Sequence, residues 1–264
     1  MTSTSITPVD SSTPTAAHTG IWTIYRVMLR WNLLSLGPML PLVIVVQSLM
    51  AAGIIIGFGL IIPHIDSQPA IALFMVTGTP TVLLMTVGFV MVPQTVAQAR
   101  TNGTFGYMRT LPVPRPILLA TDLTMWMAVA LPGVAVAVGV GLLRFDLPLK
   151  INWPLLIAAS LLVAIMAASV GYAIAVSLRP MTAQVVTQVL VFFVLLFSPV
   201  TFPASQLPQW FRTAHDWLPV RPAADLLRTG LASGTYAWQG RDLVVLAVWT
   251  MVGLAITLRA LNRR

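Results

Sequence analysis

The sequence predicts an all-α integral membrane protein with six transmembrane helices, an N-terminal interfacial helix and a re-entrant helical hairpin before the last span. Three observations predict it. Of 264 residues, 57% are hydrophobic and 8% are charged, whereas a soluble domain carries about a quarter charged residues. Six apolar runs approach or exceed the roughly 20 residues that a crossing helix needs. Between the last two runs the chain remains apolar although proline breaks it. "TFPASQLPQWF", Thr201 to Phe211, carries no charge and holds Pro203 and Pro208.

Residues 1–20 are rich in Ser, Thr and Pro and contain Asp10 but no basic n-region or apolar core. This composition is that of a disordered cytoplasmic tail and not of a signal peptide. In residues 21–35, Ile21, Ile24, Met28, Trp31 and Leu34 recur at helical spacing, with Arg26 and Arg30 off that face. The pattern predicts an amphipathic helix in the membrane interface; the other reading is a longer start to the first span. Residues 36–264 form the six-helix transmembrane domain. Its expected spans are Pro38–Ile62, Ile71–Val92, Ile117–Leu143, Trp153–Ser177, Val185–Pro199 and Leu243–Leu261. Pro80 and Pro132 should kink the second and third. Gly53 and Gly57 form a GxxxG, and Ala164, Ala168, Gly171 and Ala175 form a small-residue stripe. Both are expected to pack helices within the chain rather than to make a specific dimer motif.

With the N-terminus inside, the inner segments hold nine Lys and Arg residues and the outer ones six. The Arg100–Arg115 loop and the C-terminus are basic, and both termini are expected in the cytoplasm.

The net charge of +8 comes from singly scattered basic residues. That argues against nucleic acid and for cytoplasmic loops beside anionic lipid. With no cysteine, disulfides and thiolate metal sites are excluded. His18, His64 and His215 lie far apart, so no metal site is expected. The chain has no Glu and a single Lys, Lys150 in "LPLKIN", which is not a phosphate loop. No catalytic residue is proposed. Asp122 is the one acid placed within a span. It reads either as an intramembrane polar site or as a side chain reaching the interface.

Two loops carry more information. In "QTVAQARTNGTFGYMRTLPVPRP", Gln94–Pro116, Asn102-Gly103 signals a turn and Thr104 is the expected N-cap of a short helix, Phe105–Leu111, stopped by Pro112. Phe105, Met108 and Leu111 share one side, which fits a groove on a partner or a lipid surface. In Ser198–Leu231, the chain breaks at Pro199, Pro203 and Pro208. A helical piece then carries Trp210, Phe211 and Trp217, and a second short helix runs over Ala223–Leu231. Such apolar broken helices fit a hairpin that dips back into the membrane, shielded by protein.

At these loops the sequence resembles the permease subunit of a type-2 ABC transporter of the exporter type. The resemblance spans Ile21 to Arg264. It rests on Gly103-Thr104 and Leu111-Pro112, then Pro199, Pro203, Leu207-Pro208, Trp210, Pro219 and Leu227-Arg228 in order. In the family, glutamates usually precede the Gly-Thr; here "AQARTNGT" has no acid. The resemblance implies a path between two permeases, identical or homologous, with two ATP-binding subunits docked beneath. ATP and Mg would be bound by those partners, and this chain would have no cofactor and no ATPase site of its own. Coupling to the ATPase would fall to Arg100, Thr101, Gly103, Thr104, Phe105, Met108 and Leu111. The outer gate would fall to Phe202, Pro203, Leu207, Trp210 and Phe211. The location implied is the cytoplasmic (inner) membrane, multi-pass. The cargo would be hydrophobic or amphipathic: a drug, a lipid or a lipid-linked glycan. The rival reading of the same spans is an ion-coupled secondary transporter or a channel.

Overall fold

A computed structural model describes residues 20–62, 68–145, 149–198, 200 and 208–262. Among them the regular elements are helical: α1 (Ile21–Leu36), α2 (Leu40–Ile61), α3 (Pro69–Thr86), α4 (Val92–Thr101), α5 (Thr104–Thr110) and α6 (Arg115–Arg144). There follow α7 (Trp153–Ser177), α8 (Pro180–Phe197), α9 (Gln209–Trp217), α10 (Val220–Leu231) and α11 (Gly240–Asn262).

Among the described residues five helical segments are long and apolar enough to cross a membrane: Gly37–Ile61, Pro69–Thr101, Arg115–Arg144, Trp153–Ser177 and Gly240–Asn262. The expected fifth span is α8, which begins earlier than expected, at Pro180, and whose apolar stretch Pro180–Val194 is shorter than the others. Its 18 residues reach about 27 Å at 1.5 Å per residue, just short of the hydrocarbon thickness. The chain is an all-α integral membrane protein.

The second span is longer than its apolar run. The α3 helix continues through a π-helical turn, Val87–Met91, into α4, for 33 residues in all. Pro93 cannot donate to the carbonyl four residues back, and the π turn just before it absorbs the missing bond.

Successive long helices alternate in direction, so the bundle has two distinct ends. At one end lie α1, α5 and the C-termini of α4, α7 and α11. Arg115 Nη1 at the start of α6 donates to Asn262 Oδ1 there, at 3.1 Å. At the other end lie α9 and α10, where Asn152 N donates to Gly230 O (2.8 Å) and Ser233 N to Lys150 O (3.1 Å).

Helix α7 is the centre. It is apolar all round and packs against α3, α4, α6, α8, α10, α11 and the π turn. Its stripe of Ala164, Ala168, Gly171 and Ala175 is buried, as expected. At Gly171 the π turn crosses so closely that a Cβ would lie 1.9 Å from Gly88 O. The other small-residue motif behaves differently. Neither Gly53 nor Gly57 has an atom within 4 Å of where a Cβ would stand. Helix α2 instead buries Gln47, Ala51 and Ile55, one turn apart on another face. The expected within-chain packing through this GxxxG is therefore corrected.

Candidate functional site

The α5 end is built from α1, α4, α5, α6 and α7. Helix α4 ends with Arg100, whose guanidinium turns across to the C-terminus of α7. It donates to Leu178 O at 2.6 Å and to Ala175 O. These carbonyls carry the negative end of the helix dipole and lack helical partners, so a cation satisfies both needs. Thr101 Oγ1 bonds back to Ala97 O at 2.9 Å.

The chain then turns at Gly103, whose φ of 82° lies in the left-handed region that favours glycine. Thr104 N is capped by Asn102 Oδ1 at 3.1 Å. The cap of α5 is thus Gly103, one residue before the expected Thr104. The helix ends before Pro112, with Leu111 extended (φ −65°, ψ 143°).

The apolar side of α5 faces the bundle. Phe105 packs against the main core. Met108 and Leu111 line a pocket of about 160 Å³ walled by Trp31 of α1, with Asn32 and Asp122 at its polar side. This side of α5 thus faces α1 and α6 of the same protein across that pocket. Thr104, Gly106, Tyr107 and Thr110 are exposed, and Tyr107 is 62% exposed.

Asp122 ties three helices. One carboxylate oxygen accepts from Asn32 Nδ2 of α1 at 2.5 Å, and the other accepts from Tyr172 Oη of α7. Nearby, Tyr25 and Thr124 share a hydrogen bond of 2.8 Å between α1 and α6. The inward side of α1 is therefore Ile24, Tyr25, Met28, Leu29 and Asn32. Ile21, Trp31 and Leu34, counted on the apolar stripe, are exposed. No group of three or more potential metal ligands occurs among the described residues.

At the opposite end, α9 and α10 form a helical hairpin turned at Leu218 and Pro219. Phe202, Pro203 and Leu207 lie outside the described residues. Trp210 is 73% exposed. Phe211 sits edge-on to Phe193 of α8 (6.4 Å) and to His215 (4.4 Å). Helix α10 is buried against α3, α7 and α11. Its Arg228 is 1% exposed, lies 3.7 Å from the ring centre of Phe74, and donates to Val200 O at 2.6 Å and Asp225 Oδ1 at 3.1 Å. Beside it, Arg221 pairs with Asp216 and lies 3.6 Å from Asp225, and Arg241 lies 3.4 Å from Asp216. An apolar crevice of about 470 Å³ opens under the hairpin, lined by Phe89, Leu190, Val194, His215, Trp249 and Ile256 among others.

The family model for the ABC-2 family transporter protein matches residues 61–259. The chain belongs to this family. No curated protein matches it. The matched span runs from the end of α2 to the last turns of α11, so it covers both α5 and the α9–α10 hairpin. As an ABC-2 permease subunit, the chain partners an ATP-binding subunit. The permease's candidate coupling residues do not all share one role: Arg100 fastens α4 to α7, Gly103 sets the turn, Phe105 packs α5 against the core, and Met108 and Leu111 line the adjoining pocket.

Sequence reasoning missed Tyr107 as the outward aromatic, and it missed Asn32 and Tyr172 as partners of Asp122. For Tyr107 the signal was present, since it lies off the three-residue apolar repeat. For the other two there was none, because the bonds join residues 90 and 50 positions apart.

Proposed function

We propose that this permease forms the translocation path of an ATP-driven exporter in the cytoplasmic membrane. The cargo is a hydrophobic or amphipathic molecule: a drug, a lipid or a lipid-linked glycan. Two permeases, identical or homologous, frame the path. Two ATP-binding subunits dock at the α5 end, which faces the cytoplasm together with both termini. Arg26, Arg30, Arg100, Arg115 and Arg179 gather at that end, which supports the orientation. Helix α1, tied to α6 and carrying exposed Ile21, Trp22 and Trp31, lies in the interface.

The observation that carries the reading is α5 itself. It is a short helix that packs against α4 and sets Phe105 against the core, while Tyr107 stands outward at the tip. Such a piece transmits a push from below into the bundle. ATP and Mg belong to the partner subunits. At the hairpin end, α9 and α10 close the path on the far side, and Phe211 holds α9 against α8.

Co-expression with an ABC ATPase and reconstitution in nanodiscs tests this. We expect a stable complex with vanadate-sensitive ATP hydrolysis. Tyr107→Ala removes an exposed aromatic anchor and is expected to weaken ATPase binding by about 2 kcal/mol, roughly 30-fold. Phe105→Ala, Met108→Ala and Leu111→Ala act indirectly, by unseating α5. A folded permease that binds no ATPase sinks the reading.

A further inference from the structure

Helices α4 and α8 pack side by side. Each carries a pair of glutamines one helical turn apart: Gln94 and Gln98 on α4, Gln184 and Gln188 on α8. All four are exposed, and with Thr101 and Val185 they line an open groove of about 640 Å³. No charged side chain lines it. Among the described residues none of the four amides has a hydrogen-bond partner. An amide that faces hydrocarbon without a partner costs several kcal/mol, so this wall meets water or a polar ligand.

Gln94 and Gln98 also belong to a second cavity of about 200 Å³, whose apolar lining includes Met39, Leu40, Val43, Met91 and Trp126. The two cavities therefore adjoin along one shared edge, amide on one side and apolar on the other. From Pro69 to Gln94 the helix rises about 38 Å at 1.5 Å per residue. That distance places the glutamines at headgroup depth on the α5 side of the membrane.

We propose that this paired groove is the loading site for cargo and that the cargo is an uncharged amphiphile. Its hydroxyl- or amide-bearing head lies on the four glutamines and its apolar part enters the Val43–Trp126 cavity. Each glutamine offers both donors and an acceptor, which matches groups that themselves donate and accept, such as sugar hydroxyls. A charged head finds no counter-ion among the lining residues: Arg100 of α4 is committed to the α7 carbonyls, and the exposed Arg179 at the start of α8 lies outside the lining. The inference rests on the permease reading and names its substrate class and entry point.

Because the chain has no cysteine, a single introduced thiol reports on the groove. In the nanodisc complex with the ATPase, Gln98→Cys and Gln188→Cys are to be labelled with a membrane-impermeant maleimide, with Met251→Cys, exposed in the middle of α11 and away from the groove, as the comparison. We expect fast labelling at both glutamine positions and slow labelling at Met251→Cys. Hexyl glucoside, at about ten times its dissociation constant, should slow labelling about tenfold, whereas hexyl sulfate and hexyltrimethylammonium should not. Adding Val43→Trp fills the apolar cavity and should abolish protection while labelling persists. Slow labelling without any probe, thiol-to-thiol cross-linking between two copies at Gln98→Cys, or equal protection by the charged probes overturns the proposal. ATPase binding in the same sample separates the two failures. An unprotected groove in a hydrolysing complex overturns the site alone, whereas loss of the ATPase with intact protection sinks the permease reading.

Discussion

Arg228 is among the largest fully buried side chains of the protein, and it is a cation. It is tolerated because three kinds of partner surround it: the Asp225 carboxylate, the Val200 carbonyl and the face of Phe74. A planar guanidinium can stack on the ring and donate sideways at the same time, which an ammonium cannot do. Arg228→Ala and Arg228→Lys should therefore both lower stability, by about 2–4 kcal/mol for the alanine variant. The exposed Arg179→Ala should stay within about 0.5 kcal/mol. Thermal unfolding of the purified permease compares the three, and an unshifted lysine variant would refute the stacking argument. Arg100 makes a similar bond at the opposite end, but at a helix terminus. Arg100→Gln should cost about 1.5–3 kcal/mol, the range for a hydrogen bond from a charged donor. Protease cleavage near Ser177–Arg179 should rise in parallel, since the α7 terminus loses its clamp. Residue identity was readable at both sites, and residue partnership was not. Leu227-Arg228 stood out in the hairpin motif, yet nothing in the chain linked it to Phe74, whose neighbours in sequence are ordinary span residues.

Elements were more legible than residues, for a physical reason. A span is declared by length and apolarity, which are local. The α7 span matched its apolar run, and Asn102-Gly103 with Pro112 bounded α5 to within a residue. Local signals failed wherever the answer depended on which neighbour an element meets. The apolar side of α5 looked available to a partner; the fold sets Phe105 against the core and leaves Met108 and Leu111 lining a pocket shared with α1 and α6. The glutamines of α4 and α8 lie far apart in sequence, and only packing makes them one wall. The glycine motifs show the same limit. Gly171 sits where two backbones touch, so Gly171→Ala forces α7 and the π turn apart and should cost about 1–3 kcal/mol. Gly53→Ala and Gly57→Ala fill open space in a helix and should leave unfolding unchanged, or improve it by up to about 1 kcal/mol each. Denaturant or thermal unfolding of the three single variants decides this, and a loss at Gly53 as large as that at Gly171 would contradict the packing described for α2.

Among the described residues the charged side chains that make contacts sit towards the two ends, and between them the core is largely apolar, crossed by the buried bond from Gln47 Nε2 to Val129 O at 2.8 Å. At the α5 end, Asn32, Asp122 and Tyr172 join α1, α6 and α7. At the hairpin end, Asp216, Arg221, Asp225 and Arg241 form a chain of pairs over the buried Arg228. The two sets differ in kind. The hairpin pairs involve side chains 20–36% exposed, so water and salt screen them and each contributes only about 0.3–1 kcal/mol. For the proposed gate, that is weak enough for a transport cycle to break and strong enough to bias a closed state. Relaxing this end should therefore open it without unfolding the bundle. Ser198, 1% exposed beneath the hairpin, supplies the reporter in a chain without cysteines. In an otherwise unchanged Ser198→Cys permease, impermeant maleimide should react slowly. Adding Asp216→Asn with Arg241→Gln removes charge from both members of one pair and weakens the Arg221 contact. Labelling should then rise about two- to fivefold, the population shift that this much free energy produces, and 0.5 M salt should raise it in the parent as well. If labelling does not change while the unfolding temperature falls, the network supports the fold only and the hairpin does not act as a gate.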